Sequence, residues 1–287
     1  MMPPNRPKRR SDAQPQIVSA QRRHQLGGSF AEQQTAAEAA EYDALRPRYP
    51  ARAVTQTLSQ VRPAQPAEGG THQLPSVVEF GAGTGILTRQ LLEAGAHVHA
   101  VEPSVPMLDI LLESSRAVAG NRSWVQGHCA SYECSGLPDD CADLVVAAQA
   151  WHWFDPAAAQ DEAFRLLSPG GSLALLWNYL DTADPTVHRL TRIMRAGDVY
   201  RAGWQPRLDP VYFMPIHSVE YRWSRTLSVS EIFRYATTLS SWLSASPASR
   251  ATRRTNLEEF LFGELGLEAD HEVVLPQITV LHTARRR

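Results

Sequence analysis

Residues Val77-Val78-Glu79-Phe80-Gly81-Ala82-Gly83-Thr84-Gly85 place an acidic side chain two positions before three alternating glycines. The apolar run Val77–Phe80 reads as a buried parallel strand, and Ile86–Ala94 reads as the helix that follows it. Glycines at 81, 83 and 85 allow a tight turn and let a ligand lie against bare backbone. The helix aims its free N–H groups at the same ligand. Glu79 adds a carboxylate that suits a cationic amino group or a water and repels a pyrophosphate. Position 86 is Ile, so the Gly-x-Gly-x-x-Gly spacing of dinucleotide enzymes is not met.

A second acidic residue, Glu102, ends the next apolar run as Val101-Glu102-Pro103-Ser104. A carboxylate there accepts hydrogen bonds from ribose hydroxyls, a chemistry shared by several nucleoside ligands. Ser104 is placed to cap the following helix. Met107, one turn in, either touches a base ring or packs. Farther on, Gln149-Ala150-Trp151-His152-Trp153-Phe154-Asp155-Pro156 clusters four ring-bearing side chains after a strand. This is either a hydrophobic plug or a pocket wall, with Asp155 capping the next helix. His152 is the base of that segment that titrates near neutral pH. Two roles are open to it: general base, or a hydrogen-bonding and packing residue.

The elements that must position these residues alternate. Val77–Phe80, His97–Val101, Ser123–Val125, Asp143–Ala148 and Ser172–Trp177 read as strands. Ile86–Ala94, Val105–Ala117, Pro156–Leu167 and Pro185–Ala196 read as helices between and after them. Such alternation predicts a parallel, doubly wound α/β sheet with helices on both faces. The ligand then belongs at the carboxyl ends of the strands, where strand order reverses. Pro169-Gly170-Gly171 reads as a turn. Val219–Leu227 and Glu272–Thr283 are later strands around a helical insert, Ser230–Gly263. Before the sheet, Phe30–Leu45 and Ala51–Val61 are helices separated by Arg46-Pro47-Arg48-Tyr49-Pro50. Arg62–Pro75 is a loop.

Composition bounds the function. The chain has 287 residues and a net charge of −2, with 43% hydrophobic residues. Residues 1–28 carry six basic groups and one acid and read as a disordered basic tail, with a targeting or nuclear signal as the alternative. Residues 29–287 read as one domain. Without that tail and the terminal Arg285-Arg286-Arg287, 19 basic and 29 acidic residues remain, a poor surface for nucleic acid. No apolar run reaches the roughly 18–20 residues a membrane helix needs. Cys129, Cys134 and Cys141 lack the paired C-x2-C of a zinc site, so no metal is expected. They read as free thiols of a reducing compartment, and the expectation is a cytoplasmic protein. The sequence leaves the oligomeric state open.

Five blocks now stand in order: Tyr42…Arg46-Pro47-x-Tyr49-Pro50, Glu79–Gly85, Val101–Ser104, Gln149–Asp155, and Arg165–Gly171 with Trp177-Asn178. Together they resemble the small-molecule branch of the class I S-adenosylmethionine (SAM)-dependent methyltransferases. More narrowly, they are similar to type 11-like members with a His-Trp-Phe-Asp motif and to trans-aconitate-type enzymes. The resemblance covers about residues 30–283. It implies a Rossmann-like seven-stranded sheet with the last strand antiparallel, SAM as methyl donor and S-adenosylhomocysteine as product. It places Glu79, Gly81, Gly83, Gly85, Glu102, Pro103, Ser104, Met107, Ala130, Ser131 and Gln149 around the cofactor. An acidic residue often follows Ala130 in the family; this chain has Ser131, with Glu133 two positions on. Tyr42, Arg46 and Tyr49, with the helical insert, are implied to close over the cofactor. Trp151, Trp153, Trp177 and Trp242 are implied to form the acceptor pocket, where aromatic faces help hold a sulfonium. The acceptor is expected to be a small molecule methylated on a carboxylate or hydroxyl oxygen. The Asn/Asp-Pro-Pro-Tyr motif that serves planar amino acceptors is missing at 149–152. A SAM-binding protein without catalysis and an NAD-dependent oxidoreductase are the rival readings.

Overall fold

A computed structural model of the chain describes residues 35–61, 74–119, 123–197 and 199–287. The tail expected over 1–28 and most of the loop expected over 62–75 lie outside the described residues. The strands are β1 (Ser76–Phe80), β2 (His97–Val101), β3 (Val125–His128), β4 (Ala142–Ala148), β5 (Leu167–Leu180), β6 (His217–Ser228) and β7 (Glu272–Arg285). They form one sheet in the order β3-β2-β1-β4-β5-β7-β6. Strands β1 to β5 run parallel, and β7 is antiparallel to both β5 and β6. Order reverses between β1 and β4, so the loops after both strands splay apart and leave a crevice at their carboxyl ends.

The helices are α1 (Ala36–Leu45), α2 (Ala51–Leu58), α3 (Ile86–Glu93), α4 (Val105–Arg116), α5 (Pro156–Leu166), α6 (Pro185–Met194), α7 (Val229–Thr237), α8 (Ser240–Leu243) and α9 (Pro247–Glu258). Buried side chains on the two faces of the sheet form two cores, one around Phe80, Val145, Leu173 and Trp177, the other around Val77, Leu91, Val98 and Leu176. A third core lies beyond the carboxyl ends of the strands. There Leu180 and Leu227 meet Leu190 and Met194 of α6, Ile232 and Tyr235 of α7, and Leu45 of α1. The insert is therefore packed as a roof over the crevice edge. Among the described residues, no helix is long and apolar enough to cross a membrane.

Two expected strand boundaries move for a physical reason, and one expected cap does not form. The third strand is Val125–His128 rather than Ser123–Val125. Gly127 lies under Leu108 and Leu112 of α4, where a Cβ would come within 2.9 Å of Leu108, so a polar stretch without strand periodicity is held in the sheet by packing. The fifth strand begins at Leu167 rather than Ser172. Pro169-Gly170-Gly171 is absorbed as an irregularity, where the register with β4 moves from Ala142↔Leu167 to Leu144↔Ser172. Ser104 occupies the cap position of α4, but its hydroxyl makes no capping bond, because Pro106 removes one of the N–H groups it would reach. Asp155 does cap α5, accepting from the N–H groups of Ala157 and Ala158.

One buried cation docks the N-terminal helix on the sheet. Arg89 of α3 donates to the Thr84 carbonyl (2.8 Å), to Ser114 Oγ (2.6 Å) and to Asp43 of α1 (2.7 Å). The Arg89 side chain is 6% exposed. Arg89→Met should lower unfolding free energy in urea by about 3 kcal/mol, the cost of stranding the partners of a buried ion pair. A loss below about 0.5 kcal/mol would show that α1 is held by its apolar face alone.

Candidate functional site

The loops after β1, β2, β3 and β4, together with residues 42–49, enclose a cleft of about 570 Å³. At its floor Glu79 is 1% exposed. Its Oε2 accepts a 2.6 Å hydrogen bond from Thr88 Oγ1. Burial outweighs that bond and the nearby Arg89 charge and pushes the carboxyl up to about 8. At neutral pH the group holds its proton until a cation is set against it. Beside it the N–H groups of the first turn of α3 face the cleft at Ile86 and Leu87 without a side-chain cap.

The three glycines play different parts. A Cβ on Gly81 would come within 2.7 Å of Ala150 Cβ, and one on Gly85 within 2.7 Å of Leu111 Cγ. These two are demanded by packing. A Cβ on Gly83 would meet only Met107 Sδ, at 3.9 Å, so its bare face opens to the cleft. Glu102 holds this turn in place. Its Oε2 accepts from the Gly83 N–H (2.9 Å) and its Oε1 from the Ser104 N–H (2.8 Å). Burial raises the Glu102 carboxyl above its ordinary value, and those two bonds offset only part of the rise. Each oxygen keeps a second lone pair for a ribose hydroxyl.

Pro103, Met107, Ser131, Tyr132, Glu133 and Phe154 line the neighbouring wall. Tyr132 stacks on Phe154 with ring centroids 4.0 Å apart, and its hydroxyl accepts from the Asp155 N–H. Tyr132 was not expected here as a cleft residue, whereas Phe154 belongs to the ring cluster read as either a plug or a pocket wall. The signal for Tyr132 was an aromatic next to Ser131, in a loop that must follow an edge strand. Thr84 was also missed; the residue lines the cleft, and its hydroxyl is buried without a partner.

At the end of β4, Gln149 adopts a left-handed backbone conformation (φ 56). A non-glycine residue held there is strained, and the strain turns the following residues toward the cleft. Its Nε2 donates to the Asn178 carbonyl (2.6 Å), while its Oε1 is buried without a partner. Next to it, Trp177 Nε1 donates to His152 Nδ1 at 3.2 Å. An indole nitrogen only donates, so His152 Nδ1 must accept, and the neutral imidazole carries its proton on Nε2.

The roof comes from both ends of the chain. Tyr42, Arg46 and Tyr49 line the cleft. The Arg46 guanidinium lies 5.0 Å from the Tyr42 ring centroid and 5.9 Å from that of Tyr235 in α7. Arg234 forms a two-pronged pair with Glu41, tying α7 to α1. Arg46, Gln149, His152, Trp153 and Ser240 also line a second cavity of about 550 Å³ on the far side.

The fold thus brings Glu79, Gly81, Gly83, Glu102, Pro103, Met107, Ser131, Gln149, Tyr42, Arg46, Tyr49, His152 and Trp153 around one cleft. Gly85, Ser104 and Ala130 stand behind its wall. Of the expected tryptophans, only Trp153 reaches either cavity. Trp151 and Trp177 are buried in the core, Trp177 edge-on to Trp204 and His282. Trp242 packs on the third core. Their bulk fills the space between sheet and helices, which outweighs any exposure toward a ligand. The cysteines are free thiols.

The cleft suits a ligand with a nucleoside end and an amino-acid end. Gly83 offers a surface that a Cβ would fill, Glu102 has ribose-accepting lone pairs, and Tyr132 with Phe154 makes an apolar wall. Glu79 at the cleft floor suits a cation, with Gln149 in the lining beside it.

Residues 78–175 match the methyltransferase domain family. An uncharacterized methyltransferase of Mycobacterium tuberculosis is 30% identical over 230 residues, which is 76% of this chain and 88% of that protein. Another, from Schizosaccharomyces pombe, is 27% identical across 70% of this chain and 76% of its own length. A solved structure from Anaeromyxobacter dehalogenans, described as a type II methyltransferase, shares the fold with a TM-score of 0.55. It is 24% identical and covers 84% of this chain and 97% of that one. With the glycine turn, the two buried glutamates and the reversed strand order meeting in one cleft, the chain belongs to the class I SAM-dependent methyltransferases.

Proposed function

We propose that this methyltransferase acts on an oxygen of a small-molecule acceptor, and that a carboxylate is favoured over a hydroxyl. SAM supplies a methyl carbon on a sulfonium; the acceptor oxygen forms a bond to it as the carbon–sulfur bond breaks and leaves its electron pair on sulfur. The chain's contribution is placement and exclusion of water. Glu79 and Gln149 would hold the ammonium of the donor, the first turn of α3 its carboxylate, and Glu102 its ribose. The donor's reacting end would then lie toward the residues shared by the two cavities.

The observation that supports the carboxylate is the hydrogen bond from Trp177 to His152. It keeps Nδ1 in use as an acceptor, so Nε2 carries hydrogen and is a donor. Taking a proton would set an N–H against the indole N–H. A hydroxyl acceptor needs a base to accept its proton, whereas a carboxylate is already ionised and needs only to be held. His152 is suited to hold it.

A screen of small organic acids and alcohols for methyl transfer from SAM tests this reading, and esters should be the products. His152→Gln should lower kcat/KM about 10–100-fold, felt mainly in KM, the scale of a lost hydrogen bond to a charged group. The pH–rate profile should keep its shape. An ascending limb present in the wild type and missing from His152→Gln would instead make His152 the base and favour a hydroxyl.

Gly83→Val should fold, losing roughly 1–2 kcal/mol for a side chain in the left-handed region, and should no longer bind S-adenosylhomocysteine in calorimetry. Gly85→Val should lower the unfolding midpoint much further, because it meets Leu111. Equal ligand affinity in wild type and Gly83→Val would remove the glycine turn from the site.

Glu79 gives a proton-linked signature. Its carboxyl lies near 8 without a cation, and an ammonium beside it favours the ionised form. Binding at about pH 7 should therefore release a proton, and affinity should rise as pH rises toward 8. Calorimetry in buffers of differing ionisation enthalpy should detect this release in wild type and not in Glu79→Gln. The same release in both proteins would take Glu79 out of the ammonium site.

A further inference from the structure

The two cavities are opposite in charge. Glu79, Glu102, Glu133 and Asp155 line the first, against Arg46. The described residues lining the second include Arg46, Arg195 and Arg253 and no acid. Arg195, Arg253 and Gln277 belong to the second cavity only, away from the residues it shares with the cleft.

Arg253 of α9 is 7% exposed. Its Nη1 donates to the Ser241 carbonyl at 2.7 Å, and its Nε is buried with no partner. Burial and the charges of Arg195 and Arg250 all work against its proton. Gln277, which pairs in β7 with Leu180 at the end of β5, is 2% exposed, and its Nε2 is likewise buried without a partner. Buried donors are nearly always satisfied in folded proteins, and each one left alone costs about 1–3 kcal/mol. Both residues line one cavity whose described charged groups are arginines, and such a lining suits an acceptor with several lone pairs and negative charge. A carboxylate or phosphate meets both requirements, and guanidinium groups recognise either.

We propose that the second cavity is the methyl-acceptor pocket and that Arg253, Arg195 and Gln277 form an oxyanion site in it. The acceptor would then be a two-headed molecule, with a carboxylate or phosphate distal to the oxygen that is methylated. This rests on the methyl-transfer reading above and adds the chemistry of the acceptor's far end. The reacting oxygen would face His152 and Trp153, which both cavities share, while the distal anion sits against Arg253. Selectivity would follow from the unpaired donors: an acceptor lacking the distal anion leaves them unsatisfied.

The test uses the full chain saturated with S-adenosylhomocysteine and titrated with glutarate, glycerol 3-phosphate and pentanoate. Binding of S-adenosylhomocysteine itself reads the methyl-transfer site and is scored separately, so its failure sinks that reading and not this one alone. Glutarate or glycerol 3-phosphate should bind at least tenfold more tightly than pentanoate, and the better of the two identifies the distal group. Arg253→Gln should reduce that preference about tenfold with S-adenosylhomocysteine affinity unchanged. Should Arg253→Gln not fold, Arg195→Gln, at an exposed position, should reduce it in the same direction. Equal binding of all three probes, no binding by any of them, or an unchanged preference in the folded variants would overturn the proposal.

Discussion

Between β1 and α3 the chain has no room for side chains at Gly81 and Gly85. Ala150 presses on Gly81 from the end of β4, and Leu111 presses on Gly85 from α4. Everything else about the cleft follows from this squeeze. The two outer glycines let the strand turn under its neighbours, and the middle one is left with its bare face toward the opening. Glu102 then locks the turn to the end of β2 through the Gly83 and Ser104 N–H groups. A carboxylate that binds a ribose in such a site is also a structural clamp, because the turn it reads is the turn it holds.

The electrostatic layout divides the roof from the floor. Acidic groups gather where the parallel strands end, and arginines gather where the insert and the end of α6 meet them. Among them Glu79, Glu102 and Arg253 are buried, and charges so placed interact strongly and are expensive alone. Glu79 avoids the cost by keeping its proton. An arginine cannot do so readily, which leaves Arg253 charged beside Arg195. A cationic donor below and an anionic acceptor above would relieve both sides, and would bring opposite charges together across the residues the cavities share.

The donor half of this arrangement was legible in the sequence because its residues come in short local blocks. Glu79 to Gly85, and Glu102 to Met107, each lie on one strand–loop–helix unit whose periodicity can be read directly. The reversal of strand order followed from the alternation of strands and helices, and the antiparallel β7 was legible only through the resemblance. Most of the second cavity's lining was not legible. Arg195, Ser241, Arg253 and Gln277 come from a helix end, an insert and a late strand, with no spacing that marks them. The tryptophans misled for a related reason. A sequence shows that Trp151 and Trp177 are large and close to the motif, but sheet register decides which way they point, and Trp177 points into the core. Val125–His128 failed as a strand on pattern because Gly127 is there to be packed upon.

Burial does not remove Trp177 from the chemistry. Its ring fills the core, and its one polar atom reaches His152. A phenylalanine could supply the packing but not the N–H that makes Nδ1 an acceptor. The indole fixes the tautomer, so the hydrogen offered to the cavities at His152 is set from within the core. On the other side the same cavities are closed by Arg46, held between Tyr42 and Tyr235, on a segment anchored to α3 through Asp43 and to α7 through Glu41. One wall is thus fixed by the sheet and the other by a helix pinned at two points. The shared residues between them are the place where small displacements would matter most, since methyl transfer needs its three reacting atoms in line.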